Sequence, residues 1–368
     1  MNWLRKPTRP AILQLVATLL LATVASAAEP TETSKYVSAT HQLVRLRIAA
    51  AKQRKLTALK GTDGWIFFVP ELRTLTVGPF WNEHARKVSR ASNPRNADPL
   101  KPIVDFHKQL KQAGIRLLVV PVPAKFAVYP EQLDRHFQPP SQNNHRSNPL
   151  PRLDIHQQEF HRLLARQGVE VVDLMPAFLK TRHDQRGPLY CKTDTHWSGQ
   201  GIVVAANTIL ERLNDPAWLR KLPRLNSASQ TRPVTISGDL ARMLDPDNPV
   251  TETLPLKFVG QPRKQQRPAP IPVSRNSPVL LIGDSHTLVF HDPTLHARGA
   301  GLPDHLAAGL GIGIDLIGVR GSGATATRIA LLRRNDNLKG KKLVIWCFSI
   351  REYTESFSGW RTVPVVRR

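Results

Sequence analysis

Ser285 is the residue of this chain whose local sequence most favours covalent chemistry. It follows the apolar run Val279–Ile282 and the dipeptide Gly283-Asp284. An apolar run that breaks into Gly-Asp-Ser predicts a buried strand whose carboxyl end presents the serine hydroxyl at the edge of a sheet. Gly283 is predicted to permit the bend and Asp284 to order the turn. A serine hydroxyl becomes a good nucleophile only when a neighbouring base removes its proton.

Asp194 and His196 supply the other two groups of a Ser-His-Asp triad. They stand two residues apart on one short segment, and Trp197 and a predicted helix cap at Ser198 follow them. His196 is the predicted general base, while Asp194 is predicted to bond the other ring nitrogen and favour the imidazolium. The chain has 13 histidines, and His196 is distinguished from the others by these neighbouring residues. Trp197 is predicted either to form a wall of the substrate pocket or to plug the core.

Acyl transfer also needs hydrogen-bond donors for the oxyanion that develops. The N–H of Ser285 and the glycine-rich turn containing Gly321 and Gly323 are the candidates, although these glycines also suit a tight turn between a strand and a helix. The sequence lacks the spacings typical of zinc sites and of nucleotide-phosphate loops. No metal and no cofactor are therefore predicted.

Alternating strand-like and helix-like segments must position these residues. The helix patterns include Pro99–Gln112, ending at Gly114, Leu153–Gln167, ending at Gly168, and a helix that begins after Ser198. The alternation predicts an α/β fold with a mostly parallel central sheet covered on both faces. The predicted strands are Trp65–Val69, Ile115–Pro121, Val169–Leu174, Val279–Ile282, Ile314–Val319 and Leu343–Phe348.

Three stretches rich in Pro, Asn, Arg and Ser interrupt this alternation, at residues 87–99, 135–152 and 261–277. They are predicted to be surface insertions, because they contain few apolar residues. No linker separates two complete cores, so a single catalytic domain is predicted over residues 61–368, preceded by a helical lead-in over 28–60.

The first 27 residues predict export. A basic start is followed by the apolar stretch 11–22 and by Ala25-Ser26-Ala27, which fits a cleavage site. The apolar stretch is short for a membrane span. A cleaved signal peptide over residues 1–27 is therefore predicted, and the alternative is an uncleaved anchor associated with the inner membrane.

The net charge is strongly positive. The chain carries 52 Lys and Arg against 28 Asp and Glu, giving +24. This charge either attracts polyanionic partners such as acidic polysaccharide or serves only to keep the protein soluble. The two cysteines, Cys191 and Cys347, predict either one disulfide in an oxidising compartment or two buried free thiols.

Four segments carry a resemblance to known proteins: Gly61–Phe68, Val120–Lys125, Thr193–Trp197 and Ile282–Ser285. Together they resemble the AlgJ/AlgX family of periplasmic alginate O-acetyltransferases. This resemblance implies an SGNH-hydrolase-like three-layer fold in which the base precedes the nucleophile along the chain. It implies Asp194, His196 and Ser285 as the catalytic triad, and it places Lys125 and Arg351 in family-like segments where they would either contact an anionic sugar or be structural.

The resemblance also implies partners. These are a membrane-bound O-acyltransferase that supplies acetyl groups and an acidic exopolysaccharide that accepts them, whereas nucleic acid is not expected. The sequence therefore predicts a periplasmic polysaccharide O-acetyltransferase that works through an acetyl-Ser285 intermediate. Two alternatives stay open: a secreted SGNH carbohydrate acetylesterase, and a non-catalytic scaffold that binds polyanions.

Overall fold

The computed structural model describes residues 1, 31–137, 150–264 and 266–367. Apart from its first residue, the signal peptide predicted over 1–27 lies outside these ranges, as does most of the insertion predicted over 135–152. None of the helices within these ranges combines the length and the apolar character needed to pass through a membrane.

A five-stranded parallel sheet forms the centre of the fold, in the strand order β4, β3, β9, β7, β8. Every residue of β7 and β9 is buried, which requires cover on both faces of the sheet. The predicted α/β class with a parallel central sheet is confirmed. Its strands are β3 Arg116–Val122, β4 Glu170–Val171, β7 Val279–Gly283, β8 Asp315–Gly318 and β9 Leu343–Ser349.

Two small antiparallel sheets stand apart from the central one. The first pairs β1 Ala58–Lys60 with β2 Ile66–Phe68, and only β2 was predicted. The second is a long hairpin that the sequence analysis missed. It pairs β5 Ala228–Ser237 with β6 Thr251–Gly260.

The helices begin and end close to the predicted positions. Helix α4 spans Leu100–Gln112, where Asp98 accepts a hydrogen bond from the Leu100 amide at 2.9 Å. Helix α8, Gly199–Leu213, begins as predicted after Ser198, whose hydroxyl accepts hydrogen bonds from the amides of residues 200 and 201. The helices are α1 Glu32–Gln53, α2 Val69–Thr76, α3 Ala85–Val88, α4 Leu100–Gln112, α5 Lys125–Val128, α6 Ile155–Arg166, α7 Met175–Thr181, α8 Gly199–Leu213, α9 Ala217–Arg220, α10 Asp239–Leu244, α11 Leu302–Leu310, α12 Thr325–Arg333 and α13 Glu352–Glu355.

The topology concentrates polar residues at one edge of the sheet. Strands β3, β9 and β7 are neighbours and parallel, so their carboxyl ends meet at the same edge. Lys125 follows β3, Arg351 follows β9 and Ser285 follows β7. In open parallel sheets this edge is where ligands bind.

Candidate active site

Ser285 begins a single turn of 3₁₀ helix, Ser285–Thr287, directly after β7. The expectation that Gly283 permits a bend is wrong. A β-carbon there would lie 1.8 Å from the carbonyl oxygen of Cys347, so glycine is required by the close approach of β9 and not by a bend. Asp284 orders the turn as expected, because its carboxylate accepts hydrogen bonds from the amides of His286 at 2.9 Å and Ser349 at 2.8 Å. The nucleophile candidate is thus fixed to two neighbouring strands.

The segment that carries Asp194 and His196, here called the base loop, runs from Tyr190 to Trp197. Its two ends pair in an antiparallel bridge, so the loop is closed before α8 begins. Within it the amide of Cys191 donates to the carbonyl of His196 at 3.2 Å. The loop therefore has a defined shape at its base.

Contacts from other elements hold the tip of the base loop. Glu252 of β6 accepts hydrogen bonds from the amides of Lys192 at 2.9 Å and Thr193 at 2.7 Å. Asp239, at the start of α10, accepts one from the Thr195 amide at 2.7 Å. Neither acidic residue was singled out from the sequence. The hairpin and the helix that follows β5 thus fix the loop that carries the base.

The structure brings the three predicted triad residues together. His196 Nε2 lies 2.7 Å from Ser285 Oγ, and His196 Nδ1 lies 2.5 Å from Asp194 Oδ1. The same Asp194 oxygen accepts the His196 amide at 3.0 Å. Asp194 Oδ2 accepts the Asp239 amide at 2.9 Å and lies 2.9 Å from His296 Nε2, a contact that the sequence analysis missed. This arrangement can pass a proton from the serine to the imidazole and stabilise the imidazolium that forms.

Burial and neighbouring charges set the protonation of this group. Burial alone would lower the pKa of His196, but the charge and hydrogen bond of Asp194 outweigh it and raise that pKa above the ordinary 6.5. Burial would raise the pKa of Asp194, yet the charge and hydrogen bond of His196, with a hydrogen bond from His296, hold it well below its usual range. Asp194 is therefore a carboxylate near neutral pH.

Lys125 and Trp197 do not occupy the substrate-contacting positions predicted for them. Lys125 is 1% exposed, and its ammonium donates hydrogen bonds to the carbonyls of Ile66 at 2.9 Å and Asp194 at 2.6 Å. Trp197 is 0% exposed and donates its indole N–H to the carbonyl of His286 at 3.1 Å. Both side chains are enclosed because they support the base loop and the turn of the nucleophile. Trp197 takes the second of its two predicted roles, a plug in the core.

Arg351 has a different environment. Its guanidinium lies 5.6 Å from the ring centre of Phe68, and its charge lowers the pKa of the buried Glu71, although burial raises that pKa overall. Within the described ranges its Nη1 is buried and has no hydrogen-bond partner. The side chain as a whole is only half-buried. A cation with an unsatisfied donor therefore lies at the same sheet edge as Ser285.

The two glycines proposed for the oxyanion hole have separate structural explanations. Gly321 is exposed and has a left-handed φ of 78°, which its turn requires. Gly323 is buried, and a β-carbon there would lie 2.5 Å from Phe348 Cβ. The N–H of Ser285 donates no hydrogen bond within the described part of the chain, whereas the next three amides do. It is thus the better placed donor for an oxyanion on Ser285.

Asp194, His196 and Asp239 have donor atoms within 4.8 Å of one another, close enough to be tested as a cation site. Their carboxylate oxygens already accept protein hydrogens. Asp239 accepts the amide and the hydroxyl of Thr195 at 2.7 and 2.6 Å, and both oxygens of Asp194 are engaged. This donor set fits a hydrogen-bond network that orients the base loop.

The disulfide predicted as one alternative for Cys191 and Cys347 is not formed. Both cysteines are free and buried, in agreement with the other alternative. Cys191 directs its thiol to the carbonyl of Trp197 at 3.5 Å, while Cys347 lies inside the fully buried strand β9. Burial raises the pKa of both thiols, so neither is an activated nucleophile.

Comparison with known proteins identifies a family and a fold. A family model described as the SGNH hydrolase-like domain of the acetyltransferase AlgX matches residues 58–350. The probable alginate O-acetylase AlgJ of Pseudomonas syringae pv. tomato is 29% identical over 197 residues, which are 53% of this chain and 43% of that protein. The chain thus spans less than half the length of this curated relative.

Two solved structures share the fold. The O-acetyltransferase domain of Pseudomonas putida AlgJ superposes with a TM-score of 0.56 at 21% identity, covering 81% of this chain and 92% of that one. Pseudomonas aeruginosa AlgX gives a TM-score of 0.55 at 16% identity, covering 79% of this chain and 62% of that one. The resemblance predicted from the four sequence segments is confirmed at the level of fold.

Proposed function

The chain belongs to the family of SGNH hydrolase-like domains described for the acetyltransferase AlgX, and we propose that it transfers acetyl groups to a polysaccharide through an acetyl-Ser285 intermediate. The observation that carries this proposal is the distance of 2.7 Å between Ser285 Oγ and His196 Nε2, with Asp194 on the other ring nitrogen. Two half-reactions follow from this geometry.

In the first half-reaction Ser285 takes the acetyl group from a donor. His196 Nε2 accepts the hydroxyl proton while Ser285 Oγ attacks the acetyl carbonyl carbon. The oxyanion that forms faces the N–H of Ser285. The bond to the donor's leaving group then breaks, the leaving group takes the proton from His196, and acetyl-Ser285 remains.

In the second half-reaction the acetyl group passes to a sugar. His196 removes a proton from a sugar hydroxyl, whose oxygen attacks the carbonyl of acetyl-Ser285. The ester bond to Ser285 breaks and its oxygen takes the proton from His196. The products are an O-acetylated sugar and the free enzyme, and no redox partner or metal is needed for the balance.

The acceptor we propose is an acidic exopolysaccharide. The half-buried guanidinium of Arg351 is a cation at the sheet edge that carries Ser285, and the chain has a net charge of +24. The AlgJ relatives are named as alginate O-acetylases, and alginate is a polyuronate. We place the reaction in the periplasm, supplied by a membrane-bound O-acyltransferase, on the basis of the N-terminal sequence and the family resemblance.

The test is whether purified protein acetylates an acidic oligosaccharide through Ser285. With a chromogenic acetyl ester as donor, we expect acetylated oligosaccharide and, by mass spectrometry, an acetyl adduct on Ser285. Ser285→Ala should abolish both, while Ser358→Ala, which changes an exposed serine, should leave them intact.

Three outcomes would overturn the proposal. Ester release at a rate that no sugar changes, with no acetylated sugar, would indicate an acetylesterase. Acetylated oligosaccharide that persists in Ser285→Ala would remove Ser285 as the nucleophile, while wild-type protein that shows no ester release, no adduct and no transfer would leave the scaffold alternative.

A further inference from the structure

The carboxylate of Asp194 is held by two histidines. His196 Nδ1 lies 2.5 Å from Oδ1, and His296 Nε2 lies 2.9 Å from Oδ2. The amides of His196 and Asp239 complete the set, at 3.0 Å and 2.9 Å. Each oxygen thus has one imidazole partner and one amide partner. This pairing fixes the rotation of the carboxylate more tightly than contact with His196 alone.

His296 reaches Asp194 from a separate part of the chain. It lies in the segment between the turn of the nucleophile and α11, and its side chain is 12% exposed. Phe290 ties this segment together, since its amide donates to Leu295 at 3.0 Å and its carbonyl accepts from Ala300 at 3.0 Å. The nucleophile turn and the base loop are therefore joined through His296 as well as through the triad itself.

The backbone of His296 is in a strained conformation. Its φ is 78°, in the left-handed region that residues with a β-carbon adopt at a cost. A strained residue persists where the surrounding structure fixes it, and such residues concentrate at functional sites. Here the unusual backbone is accompanied by a ring nitrogen directed at the Asp194 carboxylate.

We propose that His296 is a positioning residue of the acetyl transfer reaction, which holds the Asp194 carboxylate in the orientation that receives the Nδ1–H of His196. The inference rests on the proposed function, because the reaction it supports is the one proposed above. His296 acts through Asp194, and within the described residues its ring makes no hydrogen bond to Ser285.

Loss of this contact is expected to lower the pKa of His196. The charge and hydrogen bond of Asp194 raise that pKa. When the carboxylate is no longer held in place, it contacts the Nδ1–H less closely, so the pKa of His196 falls and the acid limb of the rate profile moves to lower pH. The other charged or titratable groups that face His196 are Asp239, Glu71, His286 and Arg351.

The same segment offers a matched control. His291 contacts Asp304 of α11 through Nδ1 at 3.0 Å, and its side chain is 17% exposed. This histidine–aspartate pair resembles His296–Asp194 in burial and distance, but Asp304 belongs to a helix and not to the triad. His291→Ala therefore reports what loss of such a pair costs the fold alone.

The experiment compares His296→Gly, His296→Gln and His291→Ala with the wild type. Glycine removes the donor while accepting the left-handed backbone, and glutamine restores an N–H at a similar distance. For chromogenic acetyl ester, kcat of His296→Gly should fall about tenfold with little change in KM, because one hydrogen bond to a charged group is lost. His296→Gln should recover most of kcat. His291→Ala should keep both kcat and the wild-type pH profile.

A second measurement does not depend on catalytic activity. The titration of the His196 ring is followed by NMR in protein with isotope-labelled histidine, assigned with His196→Gln. We expect the titration midpoint to move to lower pH in His296→Gly and to return toward wild type in His296→Gln. Unchanged titration and kcat in His296→Gly, or a His296→Gln variant as impaired as His296→Gly, would overturn the proposal. Absence of acetyl transfer in the wild type would instead refute the proposed function, while the titration would still test the contact.

Discussion

His196 and His286 lie next to each other but differ in protonation. Their ring centres are 4.8 Å apart, and both are buried. Burial lowers the pKa of His286 to about 4 despite its contact with Asp284, so this ring is neutral over the working range of most enzymes. The closer contact of His196 with Asp194 reverses the effect of burial and raises its pKa. Of these two rings, only His196 is therefore set to gain and lose a proton near neutral pH.

This difference predicts how activity depends on pH. His196 must be neutral to accept the serine proton, so kcat/KM should fall as the pH drops through the raised pKa of His196. The midpoint of this acid limb should lie above 6.5, the ordinary histidine value. Measuring kcat/KM for a small acetyl ester between about pH 5 and pH 9 tests the prediction.

Asp194→Asn is the informative comparison for the pH profile. The variant removes the charge that raises the pKa of His196, so the acid limb of its kcat/KM profile should move to lower pH. Its kcat should fall about 10⁴-fold, as in other triads in which the histidine takes the wrong tautomer. A wild-type limb at or below 6.5 would contradict the raised pKa of His196, and a limb that Asp194→Asn does not move would contradict the assignment of His196 as the base.

The sequence revealed the triad candidates but not the residues that orient them. Ser285 follows an apolar strand, and Asp194 stands two residues before His196, so both leave a local signal. His296 and Asp239 leave none, because each is an isolated polar residue whose approach to Asp194 depends on how distant segments fold together. Sequence position also could not show that the Lys125 ammonium points inward, since this depends on which carbonyls surround it.

At the scale of elements, the β5–β6 hairpin is the part of the fold that sequence reasoning missed. Both strands contain a proline, and Pro233 and Pro255 face each other in the register. Proline inside a run argues against a strand, and most of β5 is polar and exposed, so the usual signals were weak. The strands of the central sheet were predicted because burial on both faces makes them continuously apolar. The hairpin matters because Glu252 at the start of β6 holds the base loop.

We therefore expect that weakening the hydrogen bonds between the hairpin and the base loop will slow catalysis, although the hairpin does not carry a triad residue. In Glu252→Gln one acceptor oxygen becomes an amide, which cannot accept the N–H groups of both Lys192 and Thr193. We expect kcat to fall about tenfold and the free energy of unfolding to fall by about 1–2 kcal/mol. Steady-state kinetics and chemical denaturation measure the two effects.

Glu211→Gln serves as the control, because it changes an exposed carboxylate on α8 and should alter neither quantity. A Glu252→Gln variant that is less stable but has wild-type kcat would show that the hairpin braces the fold without positioning the base.

At the scale of the whole molecule, the parallel sheet and the positive charge act together. Adjacent strands β9 and β7 place Arg351 and Ser285 at one edge, which no reading of either segment alone could establish. The excess of 52 basic over 28 acidic residues gives the chain as a whole a positive field. Such a field raises the local concentration of anionic chains and speeds their association.

We therefore expect added salt to raise KM for an acidic acceptor and to leave KM for neutral substrates nearly unchanged. The Debye length shrinks from about 10 Å at 0.1 M salt to about 3 Å at 1 M, so the attraction of a polyuronate to the surface should be largely screened. Between about 0.05 and 0.5 M salt we expect KM for an acidic oligosaccharide to rise about tenfold, while KM for an uncharged acetyl ester changes little.

Arg351→Gln should raise KM for the acidic acceptor at low salt and reduce the salt dependence of that KM, because a cation at the site is lost. An equal salt response for neutral and acidic acceptors would mean that the charge serves solubility, and the proposed preference for acidic polysaccharide would then be wrong.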